Sequence, residues 1–511
     1  MQPQNNLPIV MPMNMYDLIV VGGGVNGCGI AHDASGRGLN VLLCEQNDLA
    51  SHTSSNSSKL IHGGLRYLEH YEFRLVREAL KEREVLIGNA PHIIWPLRFR
   101  LPHRPHLRPR WMILAGLFLY DNLSKLTTLK KSKGVAFGPD SPLVDEVKKG
   151  FEYSDAWVDD ARLVVLNAMA ARDNGADILT RTSCISAKRE QDCWLVQLRD
   201  NITQQVTETR CKMLVNAAGP WVADLFDGVV DVKAPQNVRL IKGSHIVVPK
   251  LHDQEQAYIL QNEDNRIVFV IPYEDNFSLI GTTDVEIKGD PSQVQISEEE
   301  ISYLIDVTNQ NFKHKICRDD IVHTYSGVRP LLDDESSDAQ AITRDYTLEV
   351  DHADKTPPLL SVFGGKITTY RKLAEAAGNK INQFFPQMTA SKTKTNVLPG
   401  GDFKDQEILF AQLHKTYPWL DSSLLTRYVR SYGTLSKTIL HGCISVEDMG
   451  QHFGCGLYQR EVEYLIDREW AHTVDDVIWR RSKLGLRLSA LEKEQLGTFL
   501  NASGSECKKA S

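Results

Sequence analysis

Residues 16–27 read Tyr-Asp-Leu-Ile-Val-Val-Gly-Gly-Gly-Val-Asn-Gly, and this stretch decides the fold. Its first six residues form an apolar run rich in β-branched side chains, which is typical of a buried strand. The glycines follow the pattern Gly-x-Gly-x-x-Gly and are Gly22, Gly24 and Gly27. A helix with a small-residue face comes next, and a second apolar strand then ends at Glu45. The segment therefore predicts a βαβ unit that binds a dinucleotide.

The chemistry of this motif favours FAD. Glycine permits a tight turn and lets the backbone approach a pyrophosphate, which the N–H groups at the helix N-terminus stabilise. Glu45 can accept hydrogen bonds from both ribose hydroxyls, and an acid there disfavours the 2′-phosphate of NADP. NAD uses the same motif, but an enzyme using both NAD(P)H and flavin would need two such units, and no second one follows. The alternative is a glycine-rich turn in an α/β domain that binds no nucleotide.

Length and composition indicate a globular protein of several domains. The chain has 511 residues, of which 42% are hydrophobic and 24% charged, so a disordered or collagen-like protein is excluded. That length suggests roughly two to four domains. The net charge of −7 argues against a dedicated nucleic-acid binder. Nine scattered cysteines without a C-x-x-C pair favour a reduced, cytoplasmic environment.

The first residues and the longest apolar run indicate whether the chain is exported or crosses a membrane. Residues 1–14 contain no Lys or Arg, so we expect no signal peptide there. We expect residues 1–15 to be a disordered extension, with Met13 or Met15 as the true start. The longest apolar run, Trp111–Tyr120, has ten residues, whereas a membrane-spanning helix needs about 20. The chain is therefore expected not to span a membrane, although it can lie on one.

Hydrophobic periodicity predicts the remaining elements. In chain order they are a helix over 71–87, irregular chain over the proline-rich and basic residues 92–110, a helix ending near 174, strands within 178–198, 213–219, 238–290 and 359–363, and a helix over 368–380. After residue 401 the chain is rich in helix formers and charges and shows no strand alternation. These residues predict a separate helical domain.

Three blocks are more specific than the glycine motif. They read Ser-Ser-Lys-Leu-Ile-His-Gly-Gly-Leu-Arg-Tyr-Leu at 57–68, Tyr-Ser-Gly-Val-Arg-Pro at 325–330 and Phe-Gly-Gly-Lys-Ile-Thr-Thr-Tyr-Arg at 363–371. With them the chain resembles the aerobic, FAD-dependent glycerol-3-phosphate dehydrogenases of the D-amino-acid-oxidase-like superfamily, over nearly its whole length. The resemblance implies oxidation of sn-glycerol 3-phosphate to dihydroxyacetone phosphate by hydride transfer to flavin N5, with electrons passed to a membrane quinone.

The expected fold is α/β, with a Rossmann-like FAD-binding domain, an inserted β-rich substrate or cap domain, and a C-terminal helical domain. The FAD-binding domain is expected to be discontinuous and to comprise residues 16–90, 150–235 and 325–390. The cap domain is expected to comprise residues 91–149 and 236–324, and the helical domain residues 391–511.

A dianionic phosphate needs fixed cations, and arginine offers bidentate donors. The candidates beside glycine turns or strand ends are Arg66, Arg329, Arg344 and Lys366. The resemblance implies that these four residues, with Tyr67 and Thr282, surround the substrate and the isoalloxazine. Each arginine taken singly is equally compatible with a surface ion pair.

Oxidation at carbon 2 also requires a base for the hydroxyl proton. His245 is the first candidate, and Lys366 or an arginine–water arrangement is the second, although a histidine in a strand can equally be a core residue. The predicted catalytic set is His245, Arg329 and Lys366, and Lys366 or the helix that starts near Thr368 would stabilise a reduced flavin. No metal is predicted. The residues predicted to bind FAD are Gly22, Gly24, Gly27, Glu45, Ser57, Ser58, Lys59, Gly63, Gly64, Ala217, Gly219, Gly365, Lys366 and Thr368.

Residues 97–133 carry nine Lys or Arg and one Asp, with aromatic residues interleaved. This pattern predicts an interfacial segment on anionic lipid. The alternatives are the mouth of a quinone channel, a basic loop around a core helix and, least favoured, a nucleic-acid contact. We expect a homodimer attached peripherally to the cytoplasmic face of the membrane.

Two other functions fit the same scaffold. One is an amine or amino-acid oxidase that reduces oxygen, and the other is a flavin-binding membrane protein without catalysis. The several candidate cations favour a phosphorylated substrate over an amine.

Overall fold

The computed structural model describes residues 15–125, 128–230, 232, 234–236, 238–264, 266–332, 345–353 and 356–510. The predicted N-terminal extension, apart from Met15, and the candidate Arg344 lie outside the described residues, as does the side chain of Arg66.

Eighteen strands and eleven α-helices are present in the described part of the chain. The strands are β1 (Met15–Val21), β2 (Val41–Cys44), β3 (Leu60–Ile61), β4 (Ile94–Pro102), β5 (Lys133–Ala136), β6 (Lys149–Val158), β7 (Asp177–Leu179), β8 (Thr182–Arg189), β9 (Trp194–Asp200), β10 (Val206–Asn216), β11 (Val238–Pro249), β12 (Ala257–Gln261), β13 (Ile267–Tyr273), β14 (Phe277–Gly281), β15 (Val285–Ile287), β16 (His323–Leu332), β17 (Tyr346–Asp351) and β18 (Leu359–Gly364). The helices are α1 (Val25–Gly36), α2 (Phe73–Asn89), α3 (Arg110–Asn122), α4 (Asp160–Asp173), α5 (Glu298–Asn311), α6 (Tyr370–Ile381), α7 (Gln406–Thr416), α8 (Ser422–Tyr432), α9 (Ser436–Ile439), α10 (Gln459–Glu469) and α11 (Ala490–Ala510).

The first sheet has the order β17-β18-β10-β1-β2-β7, with β8 and β9 attached to β10 as an antiparallel ribbon. Strands β18, β10, β1, β2 and β7 run parallel. Leu18, Ile19 and Val20 of β1 are fully buried because both faces of this sheet are covered. Helix α1 packs against α4 and α6 on one of these faces. The predicted βαβ unit is thus confirmed at the centre of the sheet.

The second sheet has the order β15-β11-β14-β13-β12-β4-β6-β3, with β16 paired to β11 and β5 to β6. Strands β6 and β16 therefore belong to this sheet, whereas the predicted division assigned residues 150–158 and 325–332 to the FAD-binding domain. Consecutive segments of the chain contribute strands to one sheet and then to the other, so the chain crosses from sheet to sheet several times.

Strand β4 contradicts the prediction of irregular chain over 92–110. It pairs with β6 along its whole length, from Ile94 opposite Val158 to Pro102 opposite Gly150. Pro96 is tolerated because β12 pairs with β4 only at Phe99 and Arg100, so no ladder hydrogen bond is required of it on that side.

The predicted helical domain is confirmed. Helices α7–α11 enclose a hydrophobic core of their own, built from residues such as Leu425, Tyr428 and Leu465. Buried ion pairs connect this domain to the rest of the chain, among them Arg481 with Asp48 and Lys483 with Asp159. Within the described residues, none of the helices combines the length and apolarity needed to cross a bilayer.

Candidate active site

A cavity of about 500 Å³ is lined by residues of both sheets. The carboxyl ends of four parallel strands meet there, because Gly22, Glu45, Ala217 and Gly364 follow or end β1, β2, β10 and β18. Ligands of open α/β sheets bind at this edge. Its opposite wall comes from the second sheet.

The glycine turn after β1 has no room for side chains. Gly22 has φ +116°, and a Cβ atom there would lie 2.5 Å from the carbonyl oxygen of Ala217. A Cβ atom on Gly27 would lie 1.9 Å from the carbonyl oxygen of Gly22. The residue before α1, Gly24, contributes no capping side chain, and although Ser54 Oγ accepts from the N–H of Val25 at 3.0 Å, the other N–H groups of the first turn can receive a pyrophosphate. These observations fit a bound dinucleotide.

Glu45 lies at the end of β2 beside this turn. Its carboxylate accepts hydrogen bonds from the N–H groups of Gly23 at 2.7 Å and Asn47 at 2.8 Å. Burial raises the pKa of Glu45, and the two N–H groups act against that rise. A fixed carboxylate at this point fits the ribose of a dinucleotide.

Arg329 of β16 lies in the wall formed by the second sheet. Its guanidinium pairs with Asp284 at 2.8 Å, and its Nη2 atom lies 3.5 Å from Thr282 Oγ1 and 3.4 Å from the carbonyl oxygen of Thr283. Gly243 on β11 makes room for it, since a Cβ atom there would lie 2.3 Å from Nη2. These contacts therefore hold the Arg329 guanidinium in a fixed orientation in the wall of the cavity.

Lys366 precedes the short 3-10 turn Ile367–Thr369 that leads into α6. Its Nζ atom lies 3.9 Å from the ring centroid of Tyr67, in a cation–π contact. Lys366, Tyr67 and Arg329 all line the same cavity. Two cations from distant parts of the sequence therefore face one space.

His245 of β11 is buried and lines the cavity. Its ring stacks on that of Tyr325 with centroids 4.8 Å apart, and its Nε2 atom lies 2.9 Å from Ser58 Oγ. Burial, with the charges of Lys59 and Arg329, lowers the pKa of His245 well below its usual range. The lowered pKa favours the neutral imidazole, which is the form that can accept a proton, and it also makes the imidazole a weaker base.

Most of the predicted site residues meet in this cavity. Those that line it are Gly22, Gly24, Glu45, Ser57, Ser58, Tyr67, Ala217, Gly219, His245, Thr282, Arg329, Gly365, Lys366 and Thr368. Gly27, Lys59, Gly63 and Gly64 are not in its lining. The buried Lys59 pairs with Asp160 at 2.8 Å, and a Cβ atom on Gly63 would lie 2.7 Å from the hydroxyl of Tyr120. The roles of all these residues remain predictions.

Sequence reasoning did not single out three residues of the site. Phe269 lines the cavity, Asp284 pairs with Arg329, and Tyr325 stacks on His245. Tyr325 begins the specific block 325–330, but neither it nor Asp284 carries a local signal of its partner. For Phe269, which is one apolar residue in a strand, the sequence carries no signal.

A dinucleotide-binding turn that shares a cavity with cations and a neutral histidine defines a FAD-dependent oxidoreductase. Comparison with known proteins supports this class. Residues 17–371 match the family model described as FAD dependent oxidoreductase, and residues 391–506 match the C-terminal domain of alpha-glycerophosphate oxidase.

The relatives define the family more closely. The aerobic glycerol-3-phosphate dehydrogenase of Escherichia coli K12 is 56% identical over 489 residues, covering 96% of this chain and 98% of the relative. The D-erythritol 1-phosphate dehydrogenase of Brucella abortus is 49% identical, covering 93% and 96%. The crystal structure of the glycerol-3-phosphate dehydrogenase from Bacillus halodurans complexed with FAD superposes with a TM-score of 0.76 at 26% identity, covering 96% of this chain and 91% of that one. The chain belongs to the FAD-dependent glycerol-3-phosphate dehydrogenase family.

Proposed function

We propose that this chain oxidises sn-glycerol 3-phosphate to dihydroxyacetone phosphate and passes the electrons to a membrane quinone. The observation that carries the proposal is the convergence of Arg329, Lys366 and neutral His245 on the cavity that holds the dinucleotide-binding turn. Its substrate class follows from the names of the relatives and from the two cations, which suit a phosphate dianion.

The residues that would hold FAD lie along the first sheet. The N-terminus of α1 would hold the pyrophosphate, Glu45 the ribose, and the turn Gly364–Thr368 the flavin. When bound, FAD supplies the two-electron oxidant that accepts the hydride from carbon 2.

The substrate is oriented by groups that are themselves fixed. Arg329 donates to the phosphate while Asp284 holds its other side. Lys366 adds a second cation, placed over Tyr67. His245 accepts the proton of the carbon 2 hydroxyl, and its burial keeps it unprotonated beforehand.

Because one relative is named for a four-carbon substrate, the assay compares sn-glycerol 3-phosphate with D-erythritol 1-phosphate. A water-soluble quinone analogue serves as acceptor in both cases. We expect kcat/KM to be at least about tenfold higher for the three-carbon substrate, which corresponds to about 1.4 kcal/mol of transition-state discrimination. A preference for the four-carbon substrate would contradict the proposal, and turnover of amines alone would point to the oxidase alternative.

Contact with an anionic lipid surface is part of the proposal and is supported by α3. Most of its apolar side chains point outward: Trp111 is 68% exposed, Phe118 71% and Leu114 42%. Nearby cations at residues 125, 130, 131 and 133 are also exposed. Arg98 and Arg100 also pair with Glu152 but are only 19% and 21% exposed, so they are not part of this surface, whereas Lys133, 3.5 Å from Glu152, is 63% exposed. Aromatic side chains beside cations suit the lipid interface.

The proposal includes a peripheral position on the cytoplasmic face of the membrane and a homodimer, both of which rest on the family resemblance. The quinone would be met at the same lipid surface.

Replacing Trp111 and Phe118 together by glutamine tests the lipid contact. Burying each of these side chains in the interface would contribute about 1.5–3 kcal/mol to binding. We therefore expect the affinity for phosphatidylglycerol vesicles to fall by at least about tenfold. Vesicle sedimentation measures the binding. The matched control replaces Ile408 and Leu491, which are 59% and 63% exposed on the helical domain, by glutamine. Unchanged vesicle binding by the α3 variant would exclude this surface.

A further inference from the structure

Only one of the two ring nitrogens of His245 has a hydrogen-bond partner among the described residues. The Nδ1 atom is buried, and among the described residues it has no hydrogen-bond partner. The Nε2 atom lies 2.9 Å from Ser58 Oγ. Any proton that His245 takes from a molecule in the cavity must therefore arrive at Nε2.

Ser58 is the polar residue that contacts Nε2 of His245, and the other described neighbours of the ring do not offer a hydrogen bond to this atom. Tyr325 stacks on the imidazole with an angle of 21° between the ring planes. Gly281 lies against the Cδ2–Nε2 side of the ring, since a Cβ atom there would be 2.2 Å from Cδ2 and 2.9 Å from Nε2 and would crowd this nitrogen. Ser58 and His245 both line the cavity, so the Ser58 hydroxyl can contact a substrate there and Nε2 of His245 at the same time.

The turn that carries Ser58 is held on both sides. Ser57 donates its hydroxyl to Asp160 at 2.8 Å, and the ammonium of Lys59 donates to the same carboxylate at 2.8 Å. The hydroxyl of Tyr325 donates to the carbonyl oxygen of Ser57 at 2.9 Å. Lys59 has φ +57°, an unfavourable conformation for a non-glycine residue that persists only where the surroundings enforce it.

Through these contacts the Lys59–Asp160 ion pair holds the turn around Ser58 in place, which a surface ion pair would not do. Asp160 is fully buried, and Lys59 is 2% exposed. Such a pair is costly to bury, yet it fixes the two residues that flank Ser58. The fixed turn presents one hydroxyl to one nitrogen.

We propose that Ser58 is a catalytic residue that relays the proton of the substrate's carbon 2 hydroxyl to Nε2 of His245. This inference rests on the proposed function. The O–H bond of the substrate breaks as Ser58 Oγ takes that proton, and the proton of the Ser58 hydroxyl passes to Nε2. The electron pair of the O–H bond forms the carbonyl, while the hydride of carbon 2 leaves to the oxidised flavin. Ser58 is thereby restored, and His245 holds the proton.

The experiment uses the purified, FAD-loaded chain and follows the flavin absorption after anaerobic mixing with sn-glycerol 3-phosphate. Ser58→Ala removes the hydroxyl, and Ser58→Thr keeps it. Ser278→Ala is the control, because it removes a buried hydroxyl from β14 that bonds only to the backbone N–H of Leu251 among the described residues. Rates are expressed per bound flavin, so a change in FAD content does not enter them.

We expect Ser58→Ala to lower the limiting rate of flavin reduction about 100-fold, with the half-saturating substrate concentration changed by less than about threefold. Ser58→Thr should recover the rate to within about tenfold of the parent, and Ser278→Ala should leave it unchanged. A Ser58→Ala protein reduced at the parent rate would overturn the relay and leave the proposed function intact. Equal losses in the alanine and threonine variants would also overturn it. A parent protein that sn-glycerol 3-phosphate does not reduce would overturn the proposed function, and the relay with it.

Discussion

Replacing Arg329 by alanine is expected to lower kcat/KM for sn-glycerol 3-phosphate about 1000-fold while FAD stays bound. Two charge-assisted hydrogen bonds to a phosphate contribute about 4 kcal/mol in a site that excludes water. The loss also leaves Asp284, which now pairs with Arg329 at 2.8 Å, as an uncompensated negative charge beside the substrate dianion. Steady-state turnover and the visible flavin spectrum of the same sample measure the two parts of this result.

Arg239 provides the matched control for this prediction. It lies on the neighbouring strand β11, and its guanidinium pairs with the 42% exposed Glu286. Exposed pairs contribute little, about 0–1 kcal/mol, so Arg239→Ala should keep its activity. If Arg329→Ala retained its activity with an unchanged KM, Arg329 would not belong to the substrate site.

Replacing Asp48 by alanine is expected to lower the free energy of unfolding by about 3–5 kcal/mol, because it removes the two short hydrogen bonds that the buried Arg481 guanidinium donates to it and leaves, among the described residues, only Glu469, 3.9 Å away, as an acidic partner. Asp48 accepts from Arg481 at 2.6 and 2.8 Å and from Arg480 at 2.5 Å. Asp48 and Arg481 are 1% and 0% exposed, and they join the loop after Glu45 to the helical domain. Urea denaturation in saturating FAD measures the change.

Asp275→Ala is the control for the buried pair. Asp275 also connects the second sheet to the helical domain, through Arg430, but both partners are largely exposed, at 71% and 46%. We expect a loss of at most about 1 kcal/mol. Equal stability losses in the two variants would mean that burial of the Asp48–Arg481 pair is not what makes it important.

The parts of the fold that could be predicted from sequence are those with local signals. The segment from β1 to β2 has strand, turn and helix patterns in sequence order, and Gly27 is required by a contact within the turn itself, although Gly22 is also required by the distant Ala217. The helical domain shows in composition and periodicity. In both cases the residues that decide the structure are neighbours in sequence.

Strand β4 could not be predicted because its signals oppose each other. Pro96 and the arginines disfavour a strand. The strand is stabilised instead by its long pairing with β6 and by the ion pairs of Arg98 and Arg100 with Glu152. Glu152 lies more than 50 residues away in the chain. No local pattern reports a partner at that distance.

The site shows the same limit. The motifs located Ser58, His245 and Arg329, but not which atoms of these residues face each other. The FAD contact of Lys59 stays a prediction, and no sequence pattern indicates that its ammonium turns to Asp160. Side-chain direction depends on the α4 terminus and on β11 and β16, which meet only in the folded chain.

The central claim is that one cavity binds FAD and oxidises a phosphorylated polyol. The most direct measurement is anaerobic mixing of the purified, yellow protein with sn-glycerol 3-phosphate, followed at the visible flavin band. The account predicts prompt bleaching, one dihydroxyacetone phosphate per flavin, and recovery of the band on addition of a quinone analogue. A yellow protein whose band persists through saturating substrate would contradict the proposed activity, and a purified protein without flavin would contradict the FAD assignment as well.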